Sequence, residues 1–241
     1  MNTNRKTAII VGVLFLLGFA GVFLAVVVNP ILDDPNYLIK IYENKNLVVV
    51  GAFSQLIMAF ACAGIAIGLY PILKKHNESL ALGAVGFRII ENVFQIVAAL
   101  GLLLLLTISQ EYVKADALAA SAFQTVGATL LGVKFLAPML AGIGFCLGAL
   151  MYYYVFYQSK LIPRWLSGWG IGAILLHLTS VFLQMFLQID PFSGSPILLL
   201  SLPILFQELT LAAWLIVKGF NPSVIASRAA KTATNELLSA A

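Results

Sequence analysis

The sequence predicts an all-α fold, a polytopic bundle of six transmembrane helices with both termini cytoplasmic. Three observations carry this. Of 241 residues, 61% are hydrophobic and only 10% charged, against about 45–50% and about 25% in soluble domains. The apolar residues fall into six stretches, each near the ~20 residues a helix needs to cross ~30 Å of hydrocarbon. Those stretches are continuous rather than alternating, so they read as helices and not as barrel strands, the other structure that leaves no backbone group unpaired in lipid. The composition excludes a water-soluble enzyme and a disordered chain.

The first stretch, Thr7–Val28, follows Arg5 and Lys6. It exceeds the roughly 7–15 residues of a signal-peptide core and ends at Asn29-Pro30 without a small-residue cleavage site. A retained helix is therefore expected. The loop from Asn29 to Asn46 carries Asp33 and Asp34 before Pro35, a helix-start signature. Tyr37, Leu38, Ile41 and Tyr42 share one face of a short interfacial helix there; a gate or a cation site at the two Asp is the alternative. The second and third spans are Leu47–Tyr70 and Leu80–Ile108.

The fourth lies within an apolar run from Ala117 to Tyr157, too long for one crossing, which Lys134 and Pro138 divide. An interfacial lead-in over 117–133, or a re-entrant segment, is expected before a crossing at Lys134–Tyr157, with Lys134 snorkelling to the outer interface. Leu166–Ile189 and Pro196–Val217 complete the set. Residues 1–220 read as one domain and 221–241 as a cytoplasmic tail. The glycines are mid-helix: Gly64 and Gly68, Gly144 and Gly148, and Gly168 and Gly172 are each four apart, a spacing that lets helices approach closely. Cys62 and Cys146 fall inside spans as small hydrophobes.

Orientation follows from the cations. With the N-terminus inside, inner segments hold nine Lys and Arg (Arg5, Lys6, Lys74, Lys75, Lys160, Arg164, Lys218, Arg228, Lys231), and outer loops hold three (Lys40, Lys45, Lys114). The positive-inside bias then sets both termini in the cytoplasm. Trp165, Trp169, Trp214 and the run Tyr152–Tyr154 fall near that interface, where amphipathic rings sit. The net charge of +4 is dealt to one side of a membrane and forms no basic stripe with interleaved aromatics, so no nucleic-acid partner is expected.

Polar residues inside the spans are the candidate site. An ionisable side chain there costs roughly 2.5–3.5 kcal/mol and points to function by default. Arg88, Glu91, Asn92 and Gln95 fall within an arc of about 100° on the third span, opposite Ile90, Val93 and Val97. His177, Ser180, Gln184 and Gln188 share an arc of about 80° on the fifth. Gln207 and Glu208 lie on the sixth and Gln55 on the second.

At a rise of 1.5 Å per residue, Arg88, Glu91, His177 and Glu208 all lie about 12–16 Å from the cytoplasmic ends of their spans, one level near the midplane. Unpaired, Arg88, Glu91 and Glu208 would cost on the order of 10 kcal/mol. Arg88 and Glu91 can pair at i,i+3, and Glu208 either shares the guanidinium or carries a proton. Arg88, Glu91, Asn92, Gln95, His177, Gln184 and Glu208 are thus candidates to bind a small solute or ion. In that reading Arg88 holds an anionic group, the carboxylates balance or exchange protons, and His177 is a second titrating group.

A small-molecule or ion-handling protein and an accessory protein whose buried ion pairs only lock the bundle both fit these residues. A transporter of six helices without an inverted repeat would need a homo-oligomer. An intramembrane enzyme ranks third, for want of a nucleophile–base or metal set. No H-E-x-x-H, P-loop or dinucleotide glycine pattern is present, and no metal or cofactor is expected. Phe192-Ser193-Gly194-Ser195 suits an outer turn.

Three strings stand together: Gly86-Phe87-Arg88-Ile89-Ile90-Glu91, then Pro163-Arg164-Trp165-Leu166-Ser167-Gly168-Trp169-Gly170, and Glu208 with Trp214-Leu215-Ile216-Val217-Lys218-Gly219-Phe220. They resemble an uncharacterised bacterial multi-pass membrane family, domain-of-unknown-function family 4386, over nearly the whole chain. The resemblance implies a protein of the bacterial inner (plasma) membrane and supplies neither activity nor ligand.

Overall fold

The structure is a computed structural model that describes residues 3–187 and 196–227. In chain order it holds α1 (Thr3–Val26), α2 (Asn29–Leu32), α3 (Tyr37–Glu43), α4 (Lys45–Leu73), α5 (Glu78–Tyr112), α6 (Ala117–Ser159), α7 (Arg164–Leu187), a 3₁₀ segment (Pro196–Ser201) and α8 (Leu202–Val217). Among the described residues six helices are long and apolar enough to cross a membrane, and there is no strand.

The six long helices close a ring. Each packs on its neighbour in sequence, α1 on α4, then α4 on α5, α5 on α6, α6 on α7 and α7 on α8, and α8 returns to α1. Outward positions are apolar and uncovered, Phe53 at 66% and Phe186 at 84% exposed among them, as expected of a surface solvated by acyl chains. We call the end where α1 begins and α8 finishes the near end, and the opposite one the far end.

Two apolar cores plug the ring. The near one gathers Val11, Phe15, Leu69, Tyr152, Phe156 and Leu211. The far one gathers Val28, Leu32, Ile41, Val48, Leu102 and Leu105, from the α2–α3 segment and the far parts of α4 and α5. Fully burying one such side chain contributes about 1.5–3 kcal/mol in water; where the competing solvent is lipid, packing replaces that term. Small residues set the spacing. A Cβ on Gly21 of α1 would stand 2.7 Å from the Ser54 carbonyl oxygen of α4, and one on Gly144 of α6 would stand 3.0 Å from the Glu91 backbone nitrogen of α5.

The structure corrects several expectations. Residues 117–133 are neither an interfacial lead-in nor re-entrant: they are the first turns of one continuous 43-residue helix, α6, that passes through Pro138. At 1.5 Å per residue α6 runs about 64 Å and α5 about 52 Å, so both outreach the hydrocarbon at the far end. There the α5–α6 hairpin is covered by α3, with the Ser109 hydroxyl donating to the Leu38 carbonyl at 2.6 Å and Tyr37 and Leu38 seated against Gly127.

The sixth span is not one α-helix but a 3₁₀ segment followed by α8. Pro203 in the first turn of α8 has no N–H to pass the α ladder upstream. Tyr152 and Tyr153 are fully buried rather than interfacial, and Tyr154 alone of that run is exposed. Gly168 and Gly172 make no close approach, since a Cβ on either meets only ordinary contact or open space.

The first span starts at Thr3, bringing Arg5 inside α1. Residues 222–227 of the tail are helical, with Val224 and Ile225 on the near core. Gln188, the Phe192–Ser195 string, Arg228 and Lys231 lie outside the described residues.

Candidate functional site

The polar interior is built between the two apolar plugs. On α5, a three- and four-residue rhythm turns Arg88 and Glu91 inward, with 1% and 4% of each exposed, while Ile89, Ile90, Val93 and Val97 face outward at 37–53%. The Arg88 stem lies in a notch of α6: a Cβ on Gly148 would stand 3.0 Å from its Cγ. Its guanidinium sits over the Phe145 ring, 4.9 Å from the centroid, a cation–π contact. Phe145 meets the His177 ring edge-on at 5.6 Å, which links α5, α6 and α7.

Arg88 Nη1 is 2.9 Å from Glu91 Oε2. The distance is that of an ion pair, but the two groups are not aligned as a hydrogen bond, and Arg88 Nε and Nη1 and Glu91 Oε2 are all buried without one. Unmet donors of this kind cost about 1–3 kcal/mol each, more when charged. Glu208, from α8, accepts from the Tyr152 hydroxyl at 3.3 Å.

Arg88, Glu91, His177 and Glu208 line a single cavity of about 200 Å³, together with Cys62 and Phe15. A second chamber of about 270 Å³ lies beyond it toward the far end, walled by Asn29, Gln55, Lys134, Gln184 and Ser201. The two share part of their lining, Val22, Met58, Gln95, Pro138, Gly142 and His177. Gln55 donates to Gln95 across α4 and α5 at 3.2 Å. Gln55 Oε1 and Asn29 Nδ2 are buried without partners.

Of the sequence candidates, Arg88, Glu91, Gln95, His177 and Glu208 therefore share the first chamber and Gln184 lines the second. Asn92 lines neither of them; it is half-buried, and its Oδ1 has no partner.

Sequence reasoning missed Lys134. It is 5% exposed and walls the second chamber instead of snorkelling. Pro138 lies four residues on and offers no N–H to the Lys134 carbonyl. A signal was available, because Lys134, Pro138, Gly142 and Phe145 repeat at helical spacing and all reach the chambers.

The polar face of α7 has a second task. His177 Nδ1 bonds the Ser201 hydroxyl at 2.8 Å, Ser180 donates to the Ile197 carbonyl at 3.1 Å, and Gln184 donates to Ser180 at 2.9 Å. Ser180 thus meets a backbone carbonyl of the 3₁₀ segment, as a non-α segment inside an apolar bundle requires, and His177 ties its last side chain to α7.

A ring of six apolar helices around a polar, divided interior defines a polytopic membrane protein. Within that class, the family model described as Domain of unknown function (DUF4386) matches residues 10–219, and the chain belongs to that family. The match runs from α1 to the end of α8 and includes every chamber residue. No curated protein matches the chain, and no solved structure does.

Proposed function

We propose that the protein binds a small solute or ion in the two chambers and passes it between them, from a bacterial inner (plasma) membrane with its near end in the cytoplasm. The adjacency of the chambers carries the reading: Gln95, Pro138, Gly142 and His177 belong to both walls, so side chains common to both stand between the two. Sites between helices, at non-ideal segments such as the Pro138 region of α6 and the 3₁₀ turn before α8, are usual for secondary transporters. The cation bias supports the orientation, with Arg5, Lys6, Lys74, Lys75, Lys160, Arg164 and Lys218 at the near end against Lys40, Lys45 and Lys114 at the far end.

The chamber chemistry shifts the roles assigned from sequence. Glu91 already occupies one face of the Arg88 guanidinium, which weakens the case for Arg88 as the holder of an anion. With both carboxylates ionised the first chamber holds one net negative charge, which a proton or small cation balances. Asn29 Nδ2 and Gln55 Oε1, both buried without partners, offer a donor and an acceptor to the rest of a polar solute in the second chamber.

A pure lock is the weaker account, because an ion pair formed within α5 joins no two helices. The helices are also tied away from the chambers: the Tyr153 hydroxyl donates to Gln207 Oε1, and Gln207 Nε2 donates to the Leu166 carbonyl at 3.0 Å, joining α6, α8 and α7.

The test is thermal unfolding of the purified protein with sodium, potassium, ammonium, acetate and amino-acid probes, on wild type, Glu208→Gln and Arg88→Ala. A probe that stabilises wild type and loses its effect in folded Glu208→Gln supports the site. No stabilisation by any probe, or stabilisation unchanged in both variants, overturns it.

A further inference from the structure

A third pocket lies outside the ring's interior, at the near end where the α6–α7 turn meets the chain leaving α8. It encloses about 600 Å³, and Lys160, Arg164 and Lys218 line it beside Trp214, Phe220 and Asn221. No carboxylate lines it, and none of its three cations takes part in the ion pairs found among the described residues.

The pocket is held in shape. The Asn221 N–H donates to the Leu161 carbonyl at 2.8 Å, tying the two chain segments, over a floor of buried Leu161, Ile162 and Phe220. Arg164 is oriented by the Tyr157 carbonyl at 3.4 Å and by the Tyr157 ring at 5.3 Å. The C-terminal carbonyls of α8, which would otherwise answer nearby positive charge, are taken by Arg5.

Lys160 closes α6 in the left-handed conformation at φ 58°, the one positive-φ residue other than glycine among the described residues. Glycine fits that backbone without steric cost, so a lysine there stands against the local backbone preference. Beside the pocket Trp165 and Trp214 meet edge-on at 6.5 Å, the amphipathic pairing found at headgroup level, and Val217 is 69% exposed.

We propose that this pocket binds a phosphate ester, specifically the headgroup phosphodiester of an anionic glycerophospholipid, with Lys160, Arg164 and Lys218 around the phosphate and the tryptophans flanking its glycerol. Basic pockets between spans recognise anionic headgroups in this way. The position at the end of the spans, beside aromatic rings and uncovered apolar surface, favours a lipid over a soluble phosphate.

Native mass spectrometry and thermal unfolding of the full chain, with phosphatidylglycerol titrated against a phosphatidylcholine background, test the site. Inorganic phosphate and glycerol phosphate run as parallel arms. Wild type is expected to retain phosphatidylglycerol and gain thermal stability, with both effects reduced by salt. Lys160→Gly is expected to keep its melting temperature in neutral lipid, because glycine accepts the backbone, yet to bind phosphatidylglycerol about fivefold more weakly. Lys218→Gln should show a similar loss. Full phosphatidylglycerol binding in folded Lys160→Gly and Lys218→Gln overturns the site. An equal response to glycerol phosphate or inorganic phosphate overturns the lipid assignment.

Discussion

Arg88 and Glu91 face each other across one turn of α5 with 2.9 Å between Nη1 and Oε2 and almost no exposure of either side chain, and both ride the same helix. Such a pair neutralises charge without fixing how helices cross. Its consequence for mutation is asymmetric. Glu91→Gln leaves the buried guanidinium with only Glu208, from across the chamber, as counter-charge, and the expected loss is up to about 3–5 kcal/mol. Replacing both residues together, Arg88→Met with Glu91→Leu, should recover most of that loss, because apolar pairs of similar volume commonly substitute for buried ion pairs. Denaturant or thermal unfolding in detergent measures both, and a Glu91→Gln protein as stable as wild type would contradict the pairing.

Gln207 gives the complementary result. It is wholly buried, accepts from Tyr153 and donates to the Leu166 carbonyl, and is not in the lining of either chamber. Gln207→Leu removes both of these bonds from a buried site, with an expected cost of about 1–3 kcal/mol. Probe-induced stabilisation at the chambers should stay as in wild type. Losing that stabilisation while the fold survives would show that the two polar systems are coupled.

Arg5 was read from sequence as one more inner cation, and the structure gives it a further role. Its guanidinium reaches the last carbonyls of α8, Leu215 at 3.1 Å, Ile216 at 2.5 Å and Val217 at 3.1 Å, capping the negative end of that helix. Removing it by Arg5→Ala should cost up to about 2 kcal/mol, with Arg5→Lys recovering part. Hydrogen exchange of the last turn of α8 is the direct readout, and unchanged protection there in Arg5→Ala would remove Arg5 from this role.

What was legible in the sequence follows from which physics is local. The spans of α1, α4 and α5 could be read because apolar length is a property of one segment, and the inward stripe of Arg88, Glu91 and Gln95 because helical periodicity is too. The single helix α6 could not. Its length at the far end is supported by packing on α5 and by Tyr37 and Leu38 of α3 seated against Gly127, contacts that are nonlocal, and bilayer thickness argued for a break. Lys134 was misread for the same reason: a lone cation in an apolar run snorkels unless a cavity receives it, and the cavity exists only once α4, α5 and α7 surround it.

The glycine spacing was visible, but not which partner each pair served. Gly144 and Gly148 turned out to receive the backbone of α5 and the stem of Arg88 itself. A methyl group at either meets atoms at 3.0–3.3 Å, so Gly148→Ala should displace Arg88 and cost about 1–3 kcal/mol by overpacking. It should also alter ion or solute binding in the first chamber, whereas alanine at Gly172, where nothing lies within 4 Å, should do neither.

Pro138 separates stability from function most sharply. It stands inside α6, deprives the Lys134 carbonyl of its helical donor, and belongs to the wall of both chambers. Pro138→Ala restores that donor and the regular ladder. The expected gain is up to about 3 kcal/mol, less whatever neighbouring groups already return to the freed carbonyl. The change also removes the proline ring from the wall that the two chambers share with Gly142 and His177. The variant is therefore expected to melt higher than wild type and to bind or pass its solute less well, and unfolding scans paired with a proteoliposome uptake assay read the two quantities separately. A Pro138→Ala protein that is more stable and fully active would show that the proline in α6 is tolerated rather than used. One that is no more stable would show that the Lys134 carbonyl is already fully satisfied in the native bundle.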